Sequence, residues 1–122
     1  MNRPPYKRMS VYKFAKKPVT LAQIDRMVKR IARKFRPEKI ILFGSHARGE
    51  AGPDSDVDLL VVMAFEGSAL DKAVEIRGAL HDDLVPVDVI VTKPEEFSWR
   101  KEVIGTIEWP AAREGKVLYA RT

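Results

Sequence analysis

The sequence predicts an α/β (α+β) fold, a small mixed β-sheet with helices packed against it. Short apolar runs alternate with amphipathic segments in the order α, β, β, α, β, α, β. The apolar runs are too brief for helices and too continuous for half-exposed strands, which indicates strands buried on both faces. At 122 residues, the chain is long enough for one domain with its own core and too short for two.

The composition excludes several classes of function. The chain has no cysteine, which excludes disulfides, thiolate metal sites and cysteine nucleophiles and favours a reducing, cytoplasmic compartment. No apolar run approaches the roughly 20 residues that cross a bilayer, so we expect no membrane association. The basic N-terminus is followed by no apolar segment, and we therefore expect no secretory signal.

The net charge of +5 is concentrated at the N-terminus. Residues 1–18 hold six basic and no acidic side chains, whereas residues 19–122 hold 16 basic and 17 acidic ones. We therefore divide the chain into a basic N-terminal arm, 1–18, and a folded domain, 19–122. The arm suits contact with RNA or an acidic partner surface, and it equally suits a solvated, partly disordered tail. Both interpretations remain open.

The individual elements follow from the apolar spacing. The first is a helix that begins after Thr20, its N-cap, and ends before Pro37, because the residue preceding proline disfavours helical dihedrals. The others are strands over 38–44, 56–64 and 84–92, a helix from Gly67 to His81 or Asp82, a helix over 93–108 broken by Pro110, a turn over 111–114, and a last short strand, KVLYA. The apolar side of the late helix is predicted to be Trp99, Val103, Ile104 and Ile107.

The end of the first strand carries a glycine-serine turn. Such a turn, followed by a short helix, presents backbone N–H groups to an anion. Gly44 lets the backbone pass close to a phosphate, and the Ser45 hydroxyl can donate to one. The turn is not a P-loop, because Glu50 and Ala51 stand where lysine and serine or threonine are needed. Taken alone, the dipeptide is also typical of an ordinary turn.

Three aspartates lie at the ends of the later strands. Asp56 and Asp58 alternate along one strand and so project from the same face. Asp88 lies inside an apolar strand, where an unpaired buried charge is costly. Pairing of residues 56–62 with 86–91 brings Asp88 onto the face that carries the other two. Three clustered carboxylates repel one another, and a divalent cation relieves that repulsion. The pattern predicts a metal-dependent nucleotidyl-transfer site, the alternative being solvated aspartates at a strand entry.

The motif as a whole resembles a known family. The spacing Gly44-Ser45, ten residues, Asp56, one residue, Asp58 is similar to the signature of the DNA polymerase beta nucleotidyltransferase superfamily. The string GSHARGEAGPDSDVDLLVV and the short chain look like the minimal (MNT-type) nucleotidyltransferases, commonly the antitoxins of pairs whose toxin is a HEPN-domain ribonuclease. The resemblance covers about residues 20–120 and implies a polymerase-beta-type fold.

The resemblance implies a role for each residue of the motif. Asp56 and Asp58 hold two Mg²⁺ ions, while Asp88 completes the metal site and helps to deprotonate the attacking hydroxyl. Gly44 and Ser45 grip the terminal phosphates of ATP.

Arg48, four residues past Gly44, is a candidate for neutralising phosphate charge, the alternative being a surface arginine. His46 is interpreted as a surface-loop residue, the alternative being a contact with phosphate. Trp99 and Trp109 are interpreted as residues of the core or of a partner interface, the alternative being platforms for base stacking.

The implied function is that of an antitoxin enzyme. It transfers AMP from ATP to a tyrosine hydroxyl of a cognate HEPN toxin, with which it forms a hetero-oligomeric complex. One alternative is transfer to a small-molecule hydroxyl, which usually needs a further helical domain for the acceptor. Another is a non-catalytic antitoxin that masks its partner by binding, with the arm contributing RNA or operator contacts.

Overall fold

The computed structural model describes residues 18–80 and 84–122 and has a four-stranded mixed sheet with helices on both faces. The elements are α1 (Leu21–Phe35), β1 (Lys39–Phe43), α2 (Ser45–Arg48), β2 (Val57–Val62), α3 (Ala69–Gly78), β3 (Val87–Thr92), α4 (Pro94–Arg100), α5 (Glu108–Glu114) and β4 (Lys116–Ala120). The strand order is β3-β2-β1-β4. Strands β2 and β3 are parallel, and β1 is antiparallel to both β2 and β4. The predicted fold class is confirmed.

Helix α1 begins and ends where the sequence predicts. The Thr20 hydroxyl accepts a hydrogen bond from the Gln23 N–H at 3.1 Å, and the Gln23 side chain accepts one from the Thr20 N–H at 2.8 Å. At the other end, Arg36 adopts a left-handed conformation with φ of 50°, and Pro37 follows. Leu21 is 81% exposed, whereas the helix buries Ile24, Met27, Val28 and Ile31.

Alternation along the strands divides the core between the two faces of the sheet. The odd-numbered side chains of β2 pack in the cluster that includes α1 and α3. Leu60 and Val62 pack on the other face, with Phe97 of α4 and Ala111 of α5. β2 is almost completely buried apart from Asp58, the only charged side chain along it. Burial on both faces explains why its apolar run is continuous.

The predicted late helix over 93–108 is wrong, because the chain forms two helices there. Helix α4 ends at Arg100, residues 101–107 form turns, and α5 begins at Glu108. Pro110 does not break a helix. It lies in the first turn of α5, where its missing N–H costs no intrahelical hydrogen bond.

A buried carboxylate fixes the start of α5. Glu108 is 4% exposed and accepts hydrogen bonds from Thr92 Oγ1 at 2.8 Å and from Arg100 Nε at 3.1 Å. These contacts hold the first turn of α5 against the end of β3, so the chain must turn after α4. The predicted apolar side of the late helix is consequently exposed. The exposed fractions are 56% for Trp99, 42% for Val103, 79% for Ile104 and 41% for Ile107.

Other boundaries differ little from the prediction. The predicted strands exceed the observed ones by a few residues at their ends. The helix end expected at His81 or Asp82 lies outside the described residues, within which α3 ends at Gly78. The basic arm, up to residue 17, also lies outside them. No helix in the described ranges is long and apolar enough to cross a membrane.

Candidate active site

The glycine turn follows β1 directly. Gly44 has φ of 74° and ψ of −156°, a conformation that L side chains rarely adopt. A Cβ at this position would also overlap the Asp58 carboxylate, since the Asp58 Cγ lies only 3.2 Å away. Ser45 then opens the single-turn helix α2, which ends at Arg48 with Gly49 as its C-cap. Backbone strain and lack of space therefore both require glycine at position 44.

The site is centred on Asp58, the second residue of β2. In the antiparallel pair with β1, Asp58 is opposite Phe43, the residue before Gly44. In the parallel pair with β3, it is opposite Asp88. Register partners on neighbouring strands project from the same face of the sheet. The structure therefore brings Asp58 and Asp88 together next to the glycine turn, through the pairing that the sequence predicts. Asp56 precedes β2 by one residue.

Asp88 is exposed, so the prediction that it carries a buried charge is wrong. Asp88 is not a buried charge, because it lies near the start of β3, an edge strand, and its side chain is 54% exposed. Asp88 forms an ion pair with Arg77 of α3, whose Nη2 lies 4.0 Å from the Asp88 Oδ1. No sequence pattern singled out Arg77, because its proximity to Asp88 depends on how α3 packs along β3.

The carboxylates interact electrostatically. Burial raises the pKa of the Asp58 carboxyl, and the neighbouring Asp88 and Asp56 carboxylates raise it further. His46 and Arg48 oppose this shift. Asp58 thus lies within reach of two negative and two basic side chains. The arrangement favours a bound cation, because a cation lowers the cost of ionising Asp58.

The donor set fits a hard divalent cation. Carboxylate oxygens are the ligands that Mg²⁺ prefers, and Mg²⁺ sites usually combine one or two carboxylates with substrate phosphates. No three acidic or histidine side chains within residues 18–80 and 84–122 form a group able to hold a metal ion as they stand. Asp88 lies 4.0 Å from Arg77 of α3 instead. Asp56 and Asp58 are therefore the candidate carboxylates for such an ion, which would need substrate phosphates to complete its coordination.

Arg48 is paired with two glutamates in the structure, and its predicted contact with phosphate stays a prediction. Its Nε lies 2.9 Å from the Glu50 Oε1 and its Nη1 lies 3.4 Å from the Glu114 Oε1. The hydrogen bond with Glu50 raises the pKa of Arg48, burial lowers it, and Glu114 raises it further. Both pairs are partly exposed, which makes them weak and exchangeable. Arg48 is close enough to Asp58 to affect its pKa, but its ion pairs are with Glu50 and Glu114.

His46 has a structural contact that the sequence did not predict. It lies in α2, half-buried, and its Nε2 is 3.3 Å from the backbone carbonyl oxygen of Ser55. The Ser55 hydroxyl accepts a hydrogen bond from the Gly52 N–H at 2.9 Å. These contacts join the glycine turn to the loop that leads into Asp56. His46 therefore helps to position both halves of the motif. The interpretation of His46 as a surface-loop residue is wrong.

The two tryptophans lie away from the core. Trp99 is 56% exposed and stacks with Arg100, whose guanidinium carbon is 5.6 Å from the ring centroid. Trp109 is half-buried and lies 4.5 Å from the Arg113 guanidinium carbon. A core position is therefore excluded for Trp99.

Comparison with known proteins identifies the class. The model of the nucleotidyltransferase domain family matches residues 24–111, a range that includes the glycine turn and all three aspartates. The chain belongs to this family and is a nucleotidyltransferase.

Two proteins of Methanocaldococcus jannaschii are similar in sequence. The putative protein adenylyltransferase MJ0604 is 29% identical over 102 residues, which cover 79% of this chain and 94% of that protein. The putative protein adenylyltransferase MJ0126 is 34% identical over 76 residues, which cover 58% of this chain and 76% of that protein.

Solved structures share the fold. A putative nucleotidyltransferase from Sulfolobus solfataricus has a TM-score of 0.59 at 24% identity, covering 83% of this chain and 80% of its own. A chain of a toxin–antitoxin structure with AMP-PNP has a TM-score of 0.52 at 21% identity, covering 80% and 74%. A chain of the toxin–antitoxin MntA-HepT has a TM-score of 0.53 at 16% identity, covering 84% and 74%.

Proposed function

We propose that this chain is a magnesium-dependent protein adenylyltransferase. It transfers AMP from ATP to a tyrosine hydroxyl of a partner HEPN ribonuclease toxin, with which it forms a complex, and thereby acts as its antitoxin. One structural observation carries the proposal: Asp58 lies beside Asp88 in the parallel strand pair and against the glycine turn. The names of the two archaeal relatives support a protein acceptor. The fold shared with chains of toxin–antitoxin complexes supports a toxin partner.

The metal would be held by the three aspartates. Asp56 and Asp58 would hold two Mg²⁺ ions, and Asp88 would complete the set of ligands once its ion pair with Arg77 is broken. Bound Mg²⁺ supplies positive charge that neutralises the triphosphate and the charge that develops during transfer. The raised pKa of Asp58 supports this assignment, because carboxylates that repel one another gain most from a shared cation.

The remaining steps belong to the side chains and the backbone. The Asp88 carboxylate accepts the proton of the tyrosine hydroxyl as the hydroxyl oxygen forms a bond to the α-phosphorus. The bond between the α-phosphorus and the oxygen that bridges to the β-phosphorus breaks, and pyrophosphate leaves in line. Gly44 allows the backbone to lie against the terminal phosphates, while the Ser45 hydroxyl donates a hydrogen bond to them. Arg48 exchanges its two glutamates for phosphate oxygens.

The decisive experiment is transfer of labelled AMP. The chain is incubated with the purified HEPN partner, Mg²⁺ and ATP labelled at the α-phosphate, and label on the partner is followed together with its mass. We expect adenylyl groups on a partner tyrosine and loss of its ribonuclease activity. The same reaction with EDTA is expected to leave the partner unlabelled.

Matched variants separate catalysis from masking. Asp58→Asn removes the central carboxylate, whereas Asp25→Asn changes an exposed aspartate of α1 that pairs with Lys29 at 3.0 Å. We expect Asp25→Asn to label and neutralise the partner as the wild type does, and Asp58→Asn to do neither. Neutralisation by Asp58→Asn without any label would contradict the proposal and would favour an antitoxin that masks its partner by binding.

Two further assignments belong to the same proposal. We place the protein in the cytoplasm, which the absence of cysteine supports. Contact between residues 1–18 and nucleic acid stays a prediction, supported by the six basic side chains of the arm.

A further inference from the structure

A basic groove lies between α1 and β4. It has a volume of about 450 Å³ and is lined by Lys29, Ala32, Arg33, Arg36, Tyr119 and Arg121. Strand β4 is at one edge of the sheet and β3, with Asp88, is at the other. The groove is therefore separate from the candidate active site.

Three of the four cations in the groove have no acidic partner among the residues that the structure describes. Within residues 18–80 and 84–122, no acidic side chain forms an ion pair with Arg33, Arg36 or Arg121, whereas Lys29 pairs with Asp25. The Arg121 Nη1 donates instead to the backbone carbonyl oxygen of Arg36 at 3.0 Å. That bond fixes the Arg121 guanidinium at the end of α1, where it adds to the charge of the other two.

This concentration of charge is local. Residues 19–122 carry 16 basic and 17 acidic side chains, so the folded domain as a whole is close to neutral. Three unpaired guanidiniums around one concave surface therefore create a positive field that the overall composition does not predict. Guanidinium groups match phosphate oxygens in pairs of parallel hydrogen bonds, which makes phosphate the natural ligand.

The groove also contains an aromatic ring. Tyr119 is half-buried and packs against the core on one side, and its side chain lines the groove on the other. An aromatic ring beside arginines is the combination on which the bases of single strands stack. The volume falls within the range of about 300–1,000 Å³ that is typical of sites for small ligands, which suits the base that would stack on Tyr119.

We propose that this groove binds single-stranded nucleic acid. Arg33, Arg36 and Arg121 hold consecutive phosphates, and Tyr119 stacks on a base. The proposal does not depend on the adenylyltransferase function, because none of the aspartates takes part.

The test is fluorescence anisotropy with the full chain. Labelled single-stranded RNA, single-stranded DNA of the same sequence and the corresponding duplex are titrated at several salt concentrations. We expect the two single strands to bind more tightly than the duplex. The logarithm of the binding constant should fall with the logarithm of salt concentration, with a slope of roughly −2 for three phosphate contacts. Binding that is independent of salt, or tightest for the duplex, would overturn the proposal.

A matched pair of variants locates the binding. Arg33→Gln with Arg121→Gln removes two groove cations, and Arg26→Gln with Lys34→Gln removes two cations of α1 outside the groove lining. We expect the groove variant to bind at least about tenfold more weakly and the control to lose less than about threefold. Equal losses would show an effect of net charge alone and would overturn the assignment. Circular dichroism and thermal unfolding verify that both variants fold.

Two more variants complete the test. Tyr119→Leu keeps an apolar side chain but removes the ring, and we expect it to reduce the preference for single strands by about fivefold or more, the value of one base stack. Replacement of Lys13, Lys16 and Lys17 by glutamine lowers the charge of the arm. If the arm variant loses affinity while the groove variant binds as tightly as the wild type, the binding belongs to the arm and the groove assignment fails.

Discussion

Asp58 on β2 is paired directly with Asp88 on β3 in a parallel register, although 29 residues separate the two in the sequence. On the other side of Asp58, the turn at Gly44 approaches so closely that only a glycine fits. These two neighbours make Asp58 the centre of the site. Burial raises the pKa of the Asp58 carboxyl, and the Asp88 and Asp56 carboxylates raise it further.

Asp58→Asn should abolish transfer. Mutation of residues that only support metal ligands costs roughly 10–100-fold in activity or metal affinity. Loss of a carboxylate that binds the metal itself should reduce kcat/KM by more than this. AMP transfer to the partner under single-turnover conditions measures the effect, and Asp25→Asn serves as the matched control. Retention of activity within tenfold of the wild type would remove Asp58 from the mechanism.

Gly44→Ala should inactivate the enzyme, and Gly49→Ala should not. Both glycines have φ of 74°, but a Cβ at Gly49 meets nothing within 4 Å, whereas one at Gly44 overlaps the Asp58 carboxylate. Both variants should lose about 1–2 kcal/mol of stability from backbone strain. Only Gly44→Ala should also displace Asp58 and lose at least about a hundredfold in activity.

Thermal unfolding and AMP transfer, measured on the same preparations, separate the two effects. If Gly49→Ala were as inactive as Gly44→Ala, strain in the turn rather than contact with Asp58 would be responsible.

Arg77→Gln should lower the Mg²⁺ requirement. The ion pair with Asp88, at 4.0 Å and about half exposed, must break before Asp88 can join a metal site. Exposed pairs contribute about 0.2–1 kcal/mol, so the Mg²⁺ concentration for half-maximal activity should fall by up to about fivefold. Lys72→Gln, which removes the pair with Glu75 elsewhere on α3, is the control. An unchanged or higher Mg²⁺ requirement in Arg77→Gln would contradict competition between Arg77 and the metal.

The stability of the protein without metal should depend on Asp58 in a defined pH range. Because the folded-state pKa of Asp58 is raised, its ionised form destabilises the fold at neutral pH. As pH falls through the folded-state pKa, the native state takes up a proton and this penalty is lost. The relief is complete below the unfolded value of about 3.9.

In EDTA at pH 7, Asp58→Asn should therefore be more stable than the wild type, by no more than about 1 kcal/mol because the charges are partly exposed. The difference should vanish as pH falls to about 4. Adding Mg²⁺ should raise the Tm of the wild type but not that of the variant. Thermal unfolding with and without Mg²⁺ tests this, and a variant that is less stable than the wild type at pH 7 would refute it.

Local sequence patterns predicted helix ends and strands correctly where residues that are neighbours in the sequence determine them. The capping box at Thr20, the end of α1 before Pro37 and the continuous apolar run of β2 each depend on a few neighbouring residues. The late helix was predicted wrongly for the opposite reason. The buried Glu108 contacts Thr92 and Arg100, and no local propensity shows that a glutamate will be buried in this way.

The sequence by itself determined the family, the glycine-serine turn and the spacing of Asp56 and Asp58, because a strand followed by a tight turn constrains residues that are close together in the chain. The tertiary structure alone decided that Asp88 is exposed and faces Arg77, that Arg48 is paired with glutamates, and that Arg33, Arg36 and Arg121 share a groove. Apart from the pair of Arg48 with Glu50, these contacts join residues of different elements. They depend on how helices pack at the edges of a sheet, where side chains are long, charged and free of the steric limits that govern the core.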